Sequence, residues 1–215
     1  MTPELNTIYT GDCLSIMREW NFPDRRIAIV TDPIWPNAVD IFGCPDPHGL
    51  LKAALDEAER FTDRVVIHLG LDSDPRFLTA VPASYKFNRS FGLRLARPHY
   101  KGRILYDRDI AYYYGEFPLS LPNRRVIGNG QWGDDTCDSN TQGKPKYHPC
   151  PRKLSHVRYL IDRTTDPDQT VLDPFCGSGT TLVAAQELGR NFIGIEINPD
   201  YVKIAEQRLT QMQLI

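Results

Sequence analysis

The chain has 215 residues, 41% hydrophobic and 24% charged, so it can bury one substantial core, and we expect a single domain over residues 1–215. No apolar run reaches the roughly 18 residues of a membrane span, and residues 1–10 lack a basic segment followed by an apolar one, which predicts a soluble cytoplasmic protein without a membrane partner. The formal net charge of -2 argues against a broadly basic nucleic-acid-binding protein, so any affinity for DNA must come from local patches.

Apolar periodicity predicts strands that alternate with helices along most of the chain. The predicted strands cover residues 7–9, 26–31, 64–69, 91–95, 109–114, 170–172 and 191–196. The predicted helices cover residues 13–20, 50–61, 182–188 and 199–209. This alternation is typical of an α/β fold with a mostly parallel central sheet and helices on both faces, and the strands at 91–95 and 109–114 are expected to be antiparallel and near an edge. Residues 118–147 show no period and are interpreted as an irregular insertion.

The five cysteines are scattered and include no Cys-x-x-Cys pair. Disulfide frameworks and zinc clusters usually show regular cysteine spacing. The sequence therefore predicts reduced thiols and no metal site.

A glycine-rich turn, residues 173–181 with the sequence Asp-Pro-Phe-Cys-Gly-Ser-Gly-Thr-Thr, joins a predicted strand to a predicted helix. Gly177 and Gly179 can take positive φ and allow a ligand to approach the backbone. Glu196 ends the next strand about 20 residues later, where open α/β sheets place an acceptor for ribose hydroxyls. Together these features predict a cofactor site.

The residues around the two glycines narrow the class of cofactor. The turn lacks the third glycine of a dinucleotide turn and the Gly-Lys-Thr of a phosphate loop, which favours a nucleotide-like ligand without phosphates. Asp173 is a candidate partner for an amino-acid ammonium group, and Phe175 for the apolar parts of the ligand.

At this point the sequence resembles a known family. The glycine-rich turn, followed by residues 194–201 (Gly-Ile-Glu-Ile-Asn-Pro-Asp-Tyr), is similar to the cofactor motifs of DNA methyltransferases that modify amino groups of bases. The resemblance implies a Rossmann-like, S-adenosylmethionine-dependent methyltransferase fold, with S-adenosyl-L-methionine as the cofactor and enzymes of restriction-modification systems among its members.

A second turn, the acidic turn at residues 32–35 (Asp-Pro-Ile-Trp), follows the predicted strand at 26–31. It resembles the Asp-Pro-Pro-aromatic catalytic motif of that family, with Ile34 in place of the second proline. The order of the two motifs, with the catalytic one first, and the preceding Gly-Asp-Cys at residues 11–13 resemble the β group. Ile34 restores a backbone N–H and frees φ at its position, so the rigidity of this turn is open.

The acidic turn suits the chemistry of an exocyclic amino group, whose lone pair is delocalised into the ring. Two acceptors, the Asp32 carboxylate and the Pro33 carbonyl, would take the two amino hydrogens and turn the nitrogen lone pair towards a methyl donor. Trp35 would stack on a base flipped out of double-stranded DNA. We therefore predict Asp32, Pro33 and Trp35 as the catalytic residues.

The cofactor set implied by the motifs is larger. It comprises Asp12, Cys13, His148, Asp173, Phe175, Gly177, Ser178, Gly179, Thr180 and Glu196. Asp12 has two interpretations, an acceptor for the cofactor's adenine amino group or a cap for the helix that follows. His148, within residues 148–152 (His-Pro-Cys-Pro-Arg), resembles the segment that packs around the methionine moiety.

The predicted reaction is methylation of adenine N6 in DNA, because Asp heads the acidic turn where cytosine-N4 enzymes typically have Ser. Cytosine-N4 methylation, RNA adenine methylation and a non-catalytic nucleic-acid-binding relative remain alternatives. The insertion at 118–147 is the candidate for target recognition, and a homodimer or a partner subunit is a further possibility. Two basic groups are equally interpretable as phosphate contacts or as solvated surface charge: Arg94, Arg97, Lys101, Arg103 and Arg108, and Lys144, Lys146, Arg152 and Lys153.

Overall fold

A single sheet organises the described part of the chain. The computed structural model describes residues 1–23, 26–35, 43–119, 130–131 and 152–212, and its strands lie in the order β1-β8-β7-β2-β3-β5-β4-β6. The strands are β1 (Thr7–Thr10), β2 (Ile27–Thr31), β3 (Thr62–Gly70), β4 (Phe87–Lys101), β5 (Ile104–Tyr114), β6 (Gly130–Gln131), β7 (Thr170–Asp173) and β8 (Phe192–Glu196). The helices are α1 (Cys13–Arg18), α2 (Pro47–Ala58), α3 (Leu154–Thr164), α4 (Thr180–Glu187) and α5 (Pro199–Met212), with a 3₁₀ helix at Pro75–Ala80.

The five strands from β1 to β3 in this order are mutually parallel. All residues of β2 and β7 are buried, as expected for strands covered by helices on both faces. Neighbouring side chains of a strand point to opposite faces, so Ile29 packs in one apolar core and Val30 in the other. Met17 and Leu51 from α1 and α2 complete the first core, and residues of α3, α4 and α5 complete the second. The predicted α/β architecture is confirmed.

The antiparallel part is longer than the sequence predicts. β4 and β5 form a hairpin of 15 and 11 residues, and β5 pairs antiparallel with β3. The distal half is exposed, including its apolar residues Tyr100 and Ile104, so apolar periodicity does not reveal it, and backbone pairing defines the strands there. The register shifts between Arg94 and His99, a stretch that includes Pro98, which has no N–H for the ladder. Tyr113 of β5 is buried.

Two helices differ from the prediction. Helix α2 begins at Pro47, three residues before the prediction, because Asp46 accepts a hydrogen bond from the Gly49 N–H at 2.8 Å. Helix α3 was not predicted as an element. It buries Val157, Leu160 and Ile161, at the spacing of one helix face.

The topology sets both predicted turns side by side. The acidic turn follows β2 and the glycine-rich turn follows β7, and these two strands are parallel neighbours, so their carboxyl ends share one edge of the sheet. Gly177 and Gly179 have φ of 50° and 80°, the left-handed conformations predicted for them. No helix in the described residues is long and apolar enough to cross a membrane.

Candidate active site

A cavity of about 290 Å³ opens at the edge of the sheet where the two turns meet. The acidic turn lines one part of it, and Asp173, residues 174–178, Thr180 and Thr181 line another. Residues from the 11–13 turn and from the end of β8 also line it. The two motifs, which begin at Asp32 and Asp173, therefore line the same cavity.

Glu196 holds the glycine-rich turn and also faces the cavity. Its Oε2 accepts a hydrogen bond from the Gly177 N–H at 2.9 Å, and its Oε1 accepts one from the Asn198 N–H at 2.8 Å. Burial raises the pKa of the Glu196 carboxyl, and the two backbone hydrogen bonds oppose that rise. Because each carboxylate oxygen can accept more than one hydrogen bond, Glu196 keeps acceptor capacity for a ligand hydroxyl.

Asp173 lies at the end of β7 and is almost completely buried. Its Oδ1 accepts hydrogen bonds from the Thr31 hydroxyl at 2.8 Å and from the Phe175 N–H at 3.1 Å. Burial raises the pKa of Asp173 to about 7, against the effect of hydrogen bonds from Thr181, Thr31 and the Phe175 backbone. Asp173 thus ties β7 to β2 through Thr31 while it lines the cavity wall.

The two glycines have different surroundings. Gly177 lines the cavity, whereas Gly179 is not among the described residues that do so. A Cβ at Gly179 would lie 2.7 Å from the Ala205 Cβ on α5. The absence of a side chain at Gly179 therefore allows helix α5 to pack closely, and a contact between Gly179 and the cofactor stays a prediction.

Asp12 caps helix α1. Its Oδ2 accepts hydrogen bonds from the Ser15 N–H at 2.9 Å and the Ser15 hydroxyl at 2.7 Å, and these bonds lower the pKa of Asp12. Asp12 also lines the cavity beside Cys13, so the cap leaves the ligand interpretation open. Burial raises the pKa of the Cys13 thiol to about 12, which keeps it neutral.

The acidic turn is held by an arginine. Arg152 donates two parallel hydrogen bonds to Asp32, from Nε to Oδ2 at 2.7 Å and from Nη2 to Oδ1 at 2.9 Å. The Trp35 indole Nε1 also donates to Asp32 Oδ1, at 2.9 Å. The Arg152 guanidinium carbon lies 3.9 Å from the centroid of the Trp35 ring.

Behind Arg152 lies a buried polar group. Arg152 Nη1 donates a hydrogen bond to Asp109 Oδ2 at 2.8 Å, and His68 Nε2 lies 3.3 Å from the same oxygen. Burial raises the pKa of Asp109, but the His68 hydrogen bond and the Arg152 charge outweigh it and bring the value to about 2. His68, Asp109 and His156 place three potential metal-ligand atoms within 4.8 Å of one another. In the structure Asp109 instead accepts from Arg152.

Comparisons with known proteins identify the family of this chain. A family model described as DNA methylase matches residues 95–207. The protein YubD of Escherichia coli (strain K12) is 43% identical over 94% of this chain and 89% of its own length. The chain belongs to the DNA methylase family.

Other relatives share only part of their length with the chain. The type II methyltransferase M.HindIII of Haemophilus influenzae is 52% identical over 29% of this chain, and the matched segment is 20% of that enzyme. Among solved structures, a complex of M1.HpyAVI with SAM has a TM-score of 0.70 and 24% identity, covering 94% of this chain and 98% of that one. The cytosine-N4-specific PvuII DNA methyltransferase has a TM-score of 0.65 and 16% identity, covering 96% and 87%. These structural likenesses confirm the methyltransferase fold.

The structure brings most of the predicted site residues of this family member together. The cavity lining includes all three predicted catalytic residues and, of the predicted cofactor set, Asp12, Cys13, Asp173, Phe175, Gly177, Ser178, Thr180 and Glu196. His148 lies outside the described residues, as does almost all of the insertion at 118–147. Val157 and Leu160 of α3, which follows the predicted methionine-packing segment, also line the cavity.

Three residues of the site were missed or misplaced by sequence reasoning. Arg152 was grouped with cations interpreted as phosphate contacts or as solvated surface charge, but it pairs with Asp32 and lines the cavity. His68 and Asp109 were not singled out. The one available signal was the position of His68 near the carboxyl end of a buried strand, the edge at which ligand-binding residues gather.

Proposed function

We propose that this chain transfers a methyl group from S-adenosyl-L-methionine to the exocyclic amino nitrogen of a base in DNA, with adenine N6 as the target. The observation that carries the proposal is the shared cavity, in which the acidic turn and the glycine-rich turn face each other at the ends of β2 and β7. Proximity of a bound donor and a bound acceptor is the main requirement for a direct transfer.

The residues present suit the cofactor. Glu196 has acceptor capacity for ribose hydroxyls, and Phe175 offers a half-buried aromatic ring to the cavity. Gly177, at φ 50°, bears no side chain on the wall beside them. When bound, S-adenosyl-L-methionine supplies an electrophilic methyl group on a sulfonium.

The acidic turn supplies the other half of the reaction. The Asp32 carboxylate and the Pro33 carbonyl accept the two amino hydrogens of the target base, which localises the nitrogen lone pair and directs it at the methyl group. Trp35 offers an aromatic surface to a base that has left the duplex. Neither a metal nor a covalent intermediate is required by this chemistry.

Adenine is preferred on the identity of a single residue. Asp32 heads the acidic turn, as in adenine-modifying members of the family, whereas Ser is typical of cytosine-N4 enzymes. We further propose a single domain that acts on double-stranded DNA, alone, as a homodimer or with a partner subunit.

The test is an assay with labelled S-adenosyl-L-methionine, followed by mass spectrometry of the digested nucleosides. Wild-type protein, Asp32→Ala and the surface control Asp56→Ala are incubated with duplex DNA and, in parallel, with RNA. We expect N6-methyladenine in DNA from the wild type and the control, and a loss of about 10³-fold or more in Asp32→Ala with cofactor affinity retained.

Each other outcome has a definite meaning. N4-methylcytosine would transfer the assignment to cytosine, and methylated RNA alone would replace DNA as substrate. Cofactor binding with no transfer to any nucleic acid would favour a non-catalytic relative. Unreduced turnover in Asp32→Ala would remove Asp32 from the reaction.

A further inference from the structure

We propose that Arg152 is a positioning residue that holds the acidic turn in its reactive geometry, in place of the turn rigidity that Ile34 does not provide. The inference rests on the proposed function, because it concerns how the Asp32 carboxylate is presented to the amino group. It assigns to Arg152 a role distinct from the phosphate contact expected of a basic cluster.

The contacts of Arg152 restrain two side chains of the acidic turn, the Asp32 carboxylate and the Trp35 ring. Two parallel hydrogen bonds fix the plane of the Asp32 carboxylate, and the guanidinium lies over the Trp35 ring. A paired arginine–carboxylate contact fixes orientation as well as distance, which a lysine ammonium cannot do. The Arg152 side chain is only 13% exposed, so this pair is screened far less than a surface salt bridge.

A count of lone pairs shows which oxygen remains available. Asp32 Oδ1 accepts hydrogen bonds from both Trp35 Nε1 and Arg152 Nη2, which occupy its two lone-pair directions. Among the residues that the structure describes, Asp32 Oδ2 accepts only from Arg152 Nε, which leaves one acceptor direction open. The clamp therefore leaves one acceptor, at a defined place, for the amino hydrogen of the base.

Arg152 is itself fixed from behind. Its Nη1 donates a hydrogen bond to Asp109, which is also within hydrogen-bond distance of His68 on β3. Asp109 stands on β5 and Arg152 just before α3, so the restraint on the acidic turn comes from elements packed elsewhere in the fold. Without Arg152, the Asp32 and Asp109 carboxylates would lose the cation that lies between them.

In Asp-Pro-Pro turns two consecutive rings restrict φ, whereas Ile34 leaves the backbone freer after Pro33. A displacement of about 1 Å in a reacting group can cost about 10²-fold in rate. A side-chain clamp from a distant element supplies the missing restraint. This is the physical reason for a buried arginine beside a carboxylate that must remain an acceptor.

The experiment compares Arg152→Ala, Arg152→Lys and the control Arg158→Ala, whose half-exposed arginine on α3 pairs with Glu187 on α4. We expect Arg152→Ala to lower kcat by about 10²-fold. The dissociation constants for S-adenosyl-L-methionine and for DNA should stay within a few fold. Arg158→Ala should behave as wild type.

Chemical rescue separates positioning from a general structural role. Ethylguanidinium in the assay should raise the kcat of Arg152→Ala at least about tenfold, because it can reoccupy the space between Asp32, Asp109 and Trp35. Arg152→Lys keeps the charge and most of the volume, so it should remain impaired and should not respond to ethylguanidinium.

Several results would overturn the inference. One is an unchanged or raised kcat in Arg152→Ala, as expected if Arg152 merely blocks entry of the base. Another is full activity in Arg152→Lys. A third is a loss of kcat in Arg152→Ala that ethylguanidinium does not rescue and that a loss of cofactor binding matches. An inactive wild type would instead refute the proposed function, so the two failures are distinguishable.

Discussion

Glu196 has two roles. Its oxygens accept hydrogen bonds from the backbone N–H groups of Gly177 and Asn198, and its side chain also lines the cavity. Replacing it by Gln leaves one acceptor atom and turns an amide donor towards a backbone N–H. We expect Glu196→Gln to weaken cofactor binding by about 1.5–3 kcal/mol, the usual worth of a hydrogen bond to a charged group. Calorimetric titration measures this, with Glu206→Gln on the exposed side of α5 as the control. An unaltered dissociation constant would remove Glu196 from the site.

Asp173 predicts a pH dependence of stability. Its folded pKa of about 7 lies above the ordinary 3.8, so between these values the folded state holds more protons than the unfolded state. The contribution of Asp173 to the free energy of unfolding is therefore largest below about pH 4 and falls as the pH rises towards 7. His156 acts oppositely in part of this range, because burial lowers its pKa to about 4.

A difference between variants isolates the Asp173 contribution. Urea unfolding of wild type and Asp173→Asn at several pH values should show the free energy of unfolding of the variant rising relative to that of the wild type between about pH 4 and pH 8. The asparagine oxygen can still accept from Thr31 and from the Phe175 N–H. A constant difference in unfolding free energy across this range would contradict a raised pKa for Asp173.

At the scale of elements, the glycine-rich turn separates ligand binding from helix packing. Gly177→Val adds bulk to the cavity wall at a left-handed φ and should abolish cofactor binding. Gly179→Val sets a side chain against Ala205 and should destabilise the fold by about 1–3 kcal/mol or more, through overpacking between α4 and α5.

The two glycine variants serve as controls for each other. Thermal unfolding and cofactor titration on the same samples should show the larger loss of affinity in Gly177→Val and the larger loss of stability in Gly179→Val. Unchanged cofactor binding in Gly177→Val would mean that the cofactor lies elsewhere.

At the scale of the whole molecule, the question is how a chain of net charge -2 reads DNA. The insertion at 118–147 carries Arg124, Arg125, Asn129, Gln131, Asn140 and Gln142, side chains suited to base edges. So few groups predict a recognition sequence of only a few base pairs and weak binding, unless two copies or a partner share the duplex.

Arg124→Ala combined with Arg125→Ala should reduce DNA affinity and leave cofactor affinity unchanged. Fluorescence anisotropy over a range of salt concentrations checks this, since lost phosphate contacts also lower the salt dependence of binding. Arg158→Ala is the matched control. A long, stringently read target together with normal binding by the double variant would show that recognition lies outside the insertion.

Much of the candidate site could be predicted from local sequence. The glycine-rich turn needs positive φ at Gly177, the acidic turn follows a strand of branched apolar residues, and an acidic residue ends β8. Each of these is a property of a few consecutive residues. The alternation of strands and helices along the chain was enough to predict a mostly parallel sheet.

The tertiary structure alone decided the partners of those residues. Arg152 and Asp32 are separated by 120 positions, and Thr31 and Asp173 by 142, and no period or spacing connects them. Gly179 likewise has a role that only the packing of α5 reveals. Backbone conformation and apolar periodicity are local, so a sequence displays them directly. The pairing of buried charges depends on which strands become neighbours, and that is settled when the sheet assembles and the cavity closes around them.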